Sequence, residues 1–489
     1  MRRKFICKAL LFSSLIVVVV FTINCILIPK YLSLTTEWTT TVTYDEFYDI
    51  EKNTIDVVFL GSSHSASCFN PQVIFNNYGI KSYNLSCEQQ NLLVSYYWLK
   101  EAMRYQKPQV VVLDCYMLFT FDESEALNTS EECTRKAIDA MKWSLNKFEA
   151  IKSICANDKS QSVESYIFPN IRYHERWKNL SESDFVKDEI ENYTKLKGYA
   201  PLDDKVGAEN SHIFSEIDSS ENEEMVPLME LYLGKIVDLC AENNIELVLF
   251  KTPCTRWDVK EHNTVSNYAI RNNLRFIDFN EKTVFTNSGF DFINGMDDGV
   301  HANVWGAESL SLYIANILYS EYGVTGGKGY EQWLETSDNY EKIKEDAILH
   351  NCSSIDEYIG MLNKDRYTII ISFKGDTTEA CTSDVIQMFH DNMILINPVI
   401  SDSYVAVVEN GDVTEHGDVQ SIDYKGTLRD SLVDFEVISQ GKQYKDCYSS
   451  IKINNTEYSK DRTGINIVVY SNERGRVIDS INYNGQIQR

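Results

Sequence analysis

Val57-Val58-Phe59-Leu60-Gly61-Ser62-Ser63-His64-Ser65 joins a run of four apolar residues to a small polar turn. A short apolar run closed by glycine reads as a buried strand, with the Gly-Ser-Ser turn at its carboxyl end. A serine in that place becomes a nucleophile when a base removes its proton, and the base needs a partner to fix its tautomer. Far along the chain, Asp297-Asp298-Gly299-Val300-His301-Ala302-Asn303 supplies both parts. Asp298 precedes His301 by three residues, so carboxylate and imidazole can share one side of a turn and leave the second ring nitrogen free. Asp297 is the alternative orienting carboxylate, while His64 reads as local packing or capping.

Working outward, Ser82–Leu85, Val110–Leu113, Leu247–Phe250 and Phe276-Ile277 read as further strands. Helical spacing covers Leu92–Tyr105, residues 225–243, Val259–Asn272 and Trp305–Tyr319. Strands alternating with helices predict an α/β fold: a flavodoxin-like, doubly wound, parallel five-stranded sheet over residues 55–325. Ligands of such sheets bind at the carboxyl ends of the strands, where Gly61 and Asp114 both fall. An insertion at 118–222 is charged and helix-compatible, and insertions after a strand end commonly cover the site. Asp114 and, from the insertion, Arg172, His174 and Arg176 are the candidate substrate-binding residues. Residues 330–489 turn β-rich, with strands expected at Tyr367–Ser372, Tyr404–Val408, Leu432–Ile438 and Ile465–Tyr470.

Arg2, Arg3, Lys4 and Lys8 precede an uncharged stretch from Ala9 to Pro29. Its length approaches the roughly 20 residues that cross a bilayer. The basic cluster predicts a cytoplasmic N-terminus and a single-pass anchor (residues 1–30) with the bulk of the chain outside the cell. No small-x-small cleavage pattern near residues 22–34 favours a removed signal peptide instead. Residues 31–54, polar and Thr-rich, read as a stalk.

The 489-residue chain carries a net charge of −26, which argues against nucleic acid as a partner. Its 12 cysteines are scattered without paired spacing, so no metal site is expected, and no cofactor either.

The two motifs resemble those of the SGNH, or GDSL-like, hydrolase superfamily, whose first block is Gly-Asp-Ser and whose last is Asp-x-x-His. Here they read Gly61-Ser62-Ser63 and Asp298-Gly299-Val300-His301, and Asn303-Val304-Trp305-Gly306 is similar to the Asn-x-x-Gly that follows in the family. The resemblance implies Ser63 as nucleophile, His301 as base, Asp298 as its orienting carboxylate, and the backbone N–H groups of Ser63 and Ser86 as the oxyanion hole. Two blocks depart from the pattern. Asn84-Leu85-Ser86 replaces a glycine block, and Asp114 stands where an Asn donor is usual.

An N-terminal anchor with an exported domain of this kind resembles envelope acyl-transfer proteins, such as those of teichoic acid D-alanylation and alginate O-acetylation. That implies an esterase or O-acyltransferase acting on acylated cell-surface polysaccharide, with a catalytically weakened binding or assembly protein as the alternative. Arg462–Tyr470 and Gly475–Ser480 are similar to the interleukin-like epithelial-mesenchymal transition inducer domain in permuted order, implying a carbohydrate- or partner-binding module.

Overall fold

The computed structural model describes residues 2–29, 41–119, 131–180, 184, 195–207, 213–214, 221–327, 329–428, 433–460 and 462–489. The chain forms two compact units, Met1–Tyr340 and Glu341–Arg489.

The first unit is built on five parallel strands: β1 (Val57–Gly61), β2 (Ser82–Ser86), β3 (Val110–Asp114), β4 (Glu246–Lys251) and β5 (Arg275–Asp278). Their order is β2-β1-β3-β4-β5. From β1 the chain steps outward to β2 and then crosses to β3 on the other side, so the strand order reverses at β1. That reversal opens a crevice at the carboxyl ends of β1 and β3.

Side chains of a strand alternate between faces. Val58, Leu60, Val111, Leu113, Leu247 and Leu249 join one core, beneath the helices Leu92–Ala102 and Pro227–Glu242. Val57, Phe59, Val110, Val112, Val248 and Phe250 join the other, beneath the helix Val304–Ser320. Coverage of both faces explains why these strands are unbroken apolar runs in the sequence.

Residues 41–49 correct the expectation of a stalk. They form the helix Thr41–Asp49, with Tyr44 and Phe47 fully buried. Tyr44 stacks on Trp98 at 4.5 Å between centroids, and the Tyr83 hydroxyl donates to the Thr43 carbonyl at 2.6 Å. The Tyr44, Phe47, Tyr48 spacing is a helical apolar stripe masked by its threonine neighbours. Residues 31–40 of the expected stalk lie outside the described residues.

Among the described residues, one helix, Phe5–Leu27, is long and apolar enough to cross a membrane, and nearly all of it is exposed. Within the insertion, the described residues form helices at Glu131–Ala140, Leu145–Asn157, Val163–Ile167 and Asn170–Tyr173, with a 3-10 turn at His174–Lys178.

The second unit centres on a ten-stranded sheet. Its middle strand, Tyr367–Gly375, is buried along its length and pairs antiparallel with both Ser403–Glu409 and Gly464–Ser471. Ile369, Ile371 and Phe373 enter one core and Ile370 the opposite one, so this sheet too is covered on both faces. The helix Ser383–Asp391 lies between the first two of these strands in sequence.

Candidate active site

Gly61 ends β1 beside Asp114, which ends β3. A methyl group on Gly61 would lie 2.3 Å from Asp114 Cβ, so only glycine permits this approach. The next residue, Ser62, caps the short helix Ser63–Cys68: its Oγ accepts from His64 N at 3.3 Å. The same hydroxyl donates to Asp114 Oδ2 at 2.6 Å, and Ser62 N donates to that oxygen at 3.3 Å. Both residues are buried. Asp114 also accepts from Tyr116 N at 3.0 Å through its other oxygen. One carboxylate thus ties the two strand ends together and sets where the helix begins. Ser63, the first helical residue, is left partly exposed.

Ser63 Oγ lies 3.0 Å from His301 Nε2. His301 Nδ1 lies 2.8 Å from Asp298 Oδ2. The other Asp298 oxygen accepts from Val300 N at 2.9 Å and His301 N at 2.8 Å, so one carboxylate shapes the turn and aims the ring. Gly299 makes that turn in the left-handed region, at φ 80°. Asp297 is engaged beside the turn: its Oδ1 accepts from Asp204 N, and its N–H donates to the His301 carbonyl. Asn303 then starts the helix Val304–Ser320, accepting from Trp305 N and Gly306 N, while its amide donates to the carbonyls of Asp204, Asn294 and Met296.

Burial raises the cost of ionising Asp298. The hydrogen bond and charge of His301, with the two backbone N–H groups, outweigh it and hold the carboxyl at about 2. A carboxylate that stays ionised keeps the Nδ1 proton on its own side and leaves Nε2 as the acceptor facing Ser63. Chemically, the arrangement can lower the barrier to attack by a serine hydroxyl on an electrophilic carbonyl.

No family model and no curated protein matches the chain. Among solved structures, it is similar to a "putative acylhydrolase" from Bacteroides fragilis NCTC 9343 at 13% sequence identity. The match spans 57% of this chain and 94% of that one, with a TM-score of 0.25. The roles of individual residues here rest on their geometry.

Ser86 ends β2 in register with Gly61, and its buried hydroxyl has no hydrogen-bond partner among the described residues. Asp114 is not a substrate-facing group. Its carboxylate is buried and committed to Ser62 and Tyr116, because the reversal of strand order packs the end of β3 against that of β1. Of the three insertion residues, Arg176 donates to the carbonyls of Ile26 and Leu27 and pairs with Asp184 at 2.7 Å. His174 Nδ1 meets the Ile171 carbonyl, and Arg172 lies over the Tyr173 ring. Arg176 and His174 thus take these partners from the end of the apolar N-terminal helix and from the insertion itself.

Sequence reasoning read His64 as local packing or capping and missed Lys251 and Thr252, which floor the site with it. His64 is buried, stacks on Tyr116 at 3.8 Å between centroids, and lies 5.1 Å from the His301 ring. Its Nδ1 is 3.1 Å from Thr252 Oγ1 and 3.4 Å from Lys251 Nζ, which itself donates to the Thr252 carbonyl at 2.8 Å. An ammonium can only donate, so Nδ1 accepts and the ring proton sits on Nε2. Burial first, then the charge of Lys251, push the His64 pKa well below its usual value. His64 therefore serves as a neutral wall behind His301. The signal for Lys251-Thr252 was weak: a lysine closing an apolar strand ordinarily reaches solvent.

Proposed function

We propose that this chain is a serine esterase or O-acyltransferase of the SGNH type, anchored in the cell membrane and acting outside it on acylated cell-surface glycans. The observation that carries the reading is the unbroken relay Ser63 Oγ–His301 Nε2 at 3.0 Å and His301 Nδ1–Asp298 Oδ2 at 2.8 Å. Ser63 attacks the acyl carbonyl as His301 takes its proton, forming an acyl-enzyme. His301 returns that proton to the departing alcohol. Water or a second sugar hydroxyl then releases the acyl group by the same steps in reverse. The oxyanion is held by the N–H of Ser63, in the first turn of its helix, and by that of Ser86. The β-rich unit would hold the glycan or a partner protein, in line with its likeness to the inducer domain.

One observation favours a second reading, a binding or assembly protein on the same scaffold. The third oxyanion position carries Asp114, a carboxylate already engaged by Ser62, and a carboxylate cannot donate. Fluorophosphonate labelling separates the two. The enzyme reading expects labelling of the wild type at Ser63 and none of Ser63→Ala. Equal labelling of both proteins removes Ser63 from the mechanism. No labelling of either, with glycan binding retained, selects the binding protein.

A further inference from the structure

The helix Val163–Ile167, the helix Asn170–Tyr173 and the turn His174–Lys178 carry several large apolar side chains that the fold leaves uncovered: Ile167 at 43% exposure, Phe168 at 49%, Ile171 at 51% and Trp177 at 67%. Four exposed large apolar side chains along one short segment are the kind of surface that a membrane or partner covers. This segment is also tied to one place. Asn170 N donates to Asn24 Oδ1 at 3.0 Å, and Arg176 donates to Leu27 O at 2.9 Å and Ile26 O at 3.4 Å. Those acceptors belong to the last turn of the long apolar helix.

The 23 residues of Phe5–Leu27 extend about 35 Å, slightly more than the hydrocarbon core. Asn24, Ile26 and Leu27 therefore fall at the depth where acyl chains give way to headgroups. The segment fastened to them is held at that same level. Its composition suits the place. Phe168, Ile171 and Trp177 offer amphipathic and apolar side chains of the kind that settle at membrane interfaces. Arg172, Arg176 and Lys178 accompany a single acid, Glu175, over 170–178, a basic stretch in a chain of net charge −26.

We infer that residues 163–178 form a second membrane contact, laying Phe168, Ile171 and Trp177 on the outer lipid surface beside the point where the anchor leaves it. The inference rests on the reading of Phe5–Leu27 as a membrane span. With only the span, nothing among the described residues would fix the orientation of the sheet unit to the bilayer. With a second contact clamped to the helix end by Arg176 and Asn170, the unit is held against the bilayer in one orientation, and its site works on glycans at a set height above the surface.

The full-length chain is placed in nanodiscs of phosphatidylethanolamine and phosphatidylglycerol, with a photo-crosslinking phenylalanine analogue at one position at a time. Positions 168, 171 and 177 test the contact, position 12 tests the span, and position 270 is an exposed apolar control, since Ile270 is 74% exposed. Lipid adducts at 12, and at 168, 171 and 177 severalfold above those at 270, are expected. Adducts at 12 with only control-level yield at 168, 171 and 177 overturn the contact and leave the anchor standing. No adduct at 12 overturns the anchor, and the contact with it. In native membranes, protein adducts replacing lipid adducts at 168, 171 and 177 assign the face to a partner chain and overturn the lipid contact.

Discussion

Ser62 Oγ and Asp114 Oδ2 lie 2.6 Å apart, both buried, at the ends of two adjacent strands. The residue that holds the Ser63 turn is therefore the one occupying the position where an oxyanion donor was expected. Asp114→Ala keeps the Cβ that packs on Gly61 but removes the acceptor for a hydroxyl and two backbone N–H groups. Leaving buried donors unpaired costs about 1–3 kcal/mol. Thermal unfolding of the variant should shift down by several degrees, and its fluorophosphonate labelling should slow more than tenfold as Ser63 loses its place. A variant with wild-type stability and labelling rate would show that the carboxylate positions nothing.

Gly61→Ala tests the same junction from the other side. The added methyl would sit 2.3 Å from Asp114 Cβ and 3.1 Å from Ser65 Cβ, both held close to the backbone and unable to swing away. Either β1 and β3 separate at their ends or the turn shifts. Overpacking of this kind costs on the order of 1–3 kcal/mol or more. We expect a low yield of folded protein and no labelling, read by thermal shift and fluorophosphonate reaction. Wild-type behaviour would mean that the strand ends have slack.

The sheet was legible because it is covered on both faces, which makes β1, β3 and β4 continuous apolar runs that no amphipathic helix imitates. Val57–Leu60 and Val110–Leu113 are the plainest cases, both wholly buried. That Ser63, Asp298 and His301 come together was legible because the turn and the i, i+3 spacing are local. What escaped depends on neighbours remote in sequence. Nothing near Asp114 says that its carboxylate turns inward to Ser62, and nothing near Lys251 says that its ammonium is buried against His64. In the β-rich unit, Asp412–Asp418 and Ile422–Leu428 were missed because their exposed, charged positions weaken the apolar signal. Thr41–Asp49 was misread because three aromatic residues, not composition, carry its burial.

Tyr44→Ala puts that last correction to the test. Tyr44 is fully buried, stacked on Trp98, and donates its hydroxyl to Gln90 Oε1 at 2.8 Å. Truncating a buried aromatic side chain typically costs about 3–5 kcal/mol. A large fall in the unfolding midpoint is expected, where a stalk residue would tolerate the change. A midpoint within a degree of wild type would restore the stalk.

His64 predicts an acid-sensitive fold. Its pKa in the folded chain lies well below 6.5, so the unfolded chain binds the proton first as pH falls. Stability contributed by the neutral ring is complete above about 6.5 and declines below it, until the folded ring also protonates. In His64→Gln the fall in unfolding temperature from pH 7 to pH 5 should be shallower than in the wild type, whatever the starting stability. Equal slopes would show that His64 titrates alike in the folded and unfolded chains and is not held neutral by its surroundings.

Asp298 has the opposite sign and separates catalysis from stability. Its pKa is depressed from 3.8 to about 2, so the stability it adds is present above 3.8 and is lost progressively as pH falls from there through about 2. Between pH 7 and pH 4 it stays ionised, and any loss of labelling in that range comes from another group. Asp298→Asn keeps the size and leaves the side chain, 46% exposed, able to hold the turn. It removes the negative charge and offers His301 an amide that can donate, favouring the tautomer with its proton toward Ser63. The labelling rate should drop by about two to four orders of magnitude with a small change in unfolding temperature, in keeping with the loss of an orienting carboxylate. Asp297→Asn, whose carboxylate lies outside the relay, should leave the rate near wild type. If the two substitutions have equal effects on labelling, Asp298 is not the residue that orients the base.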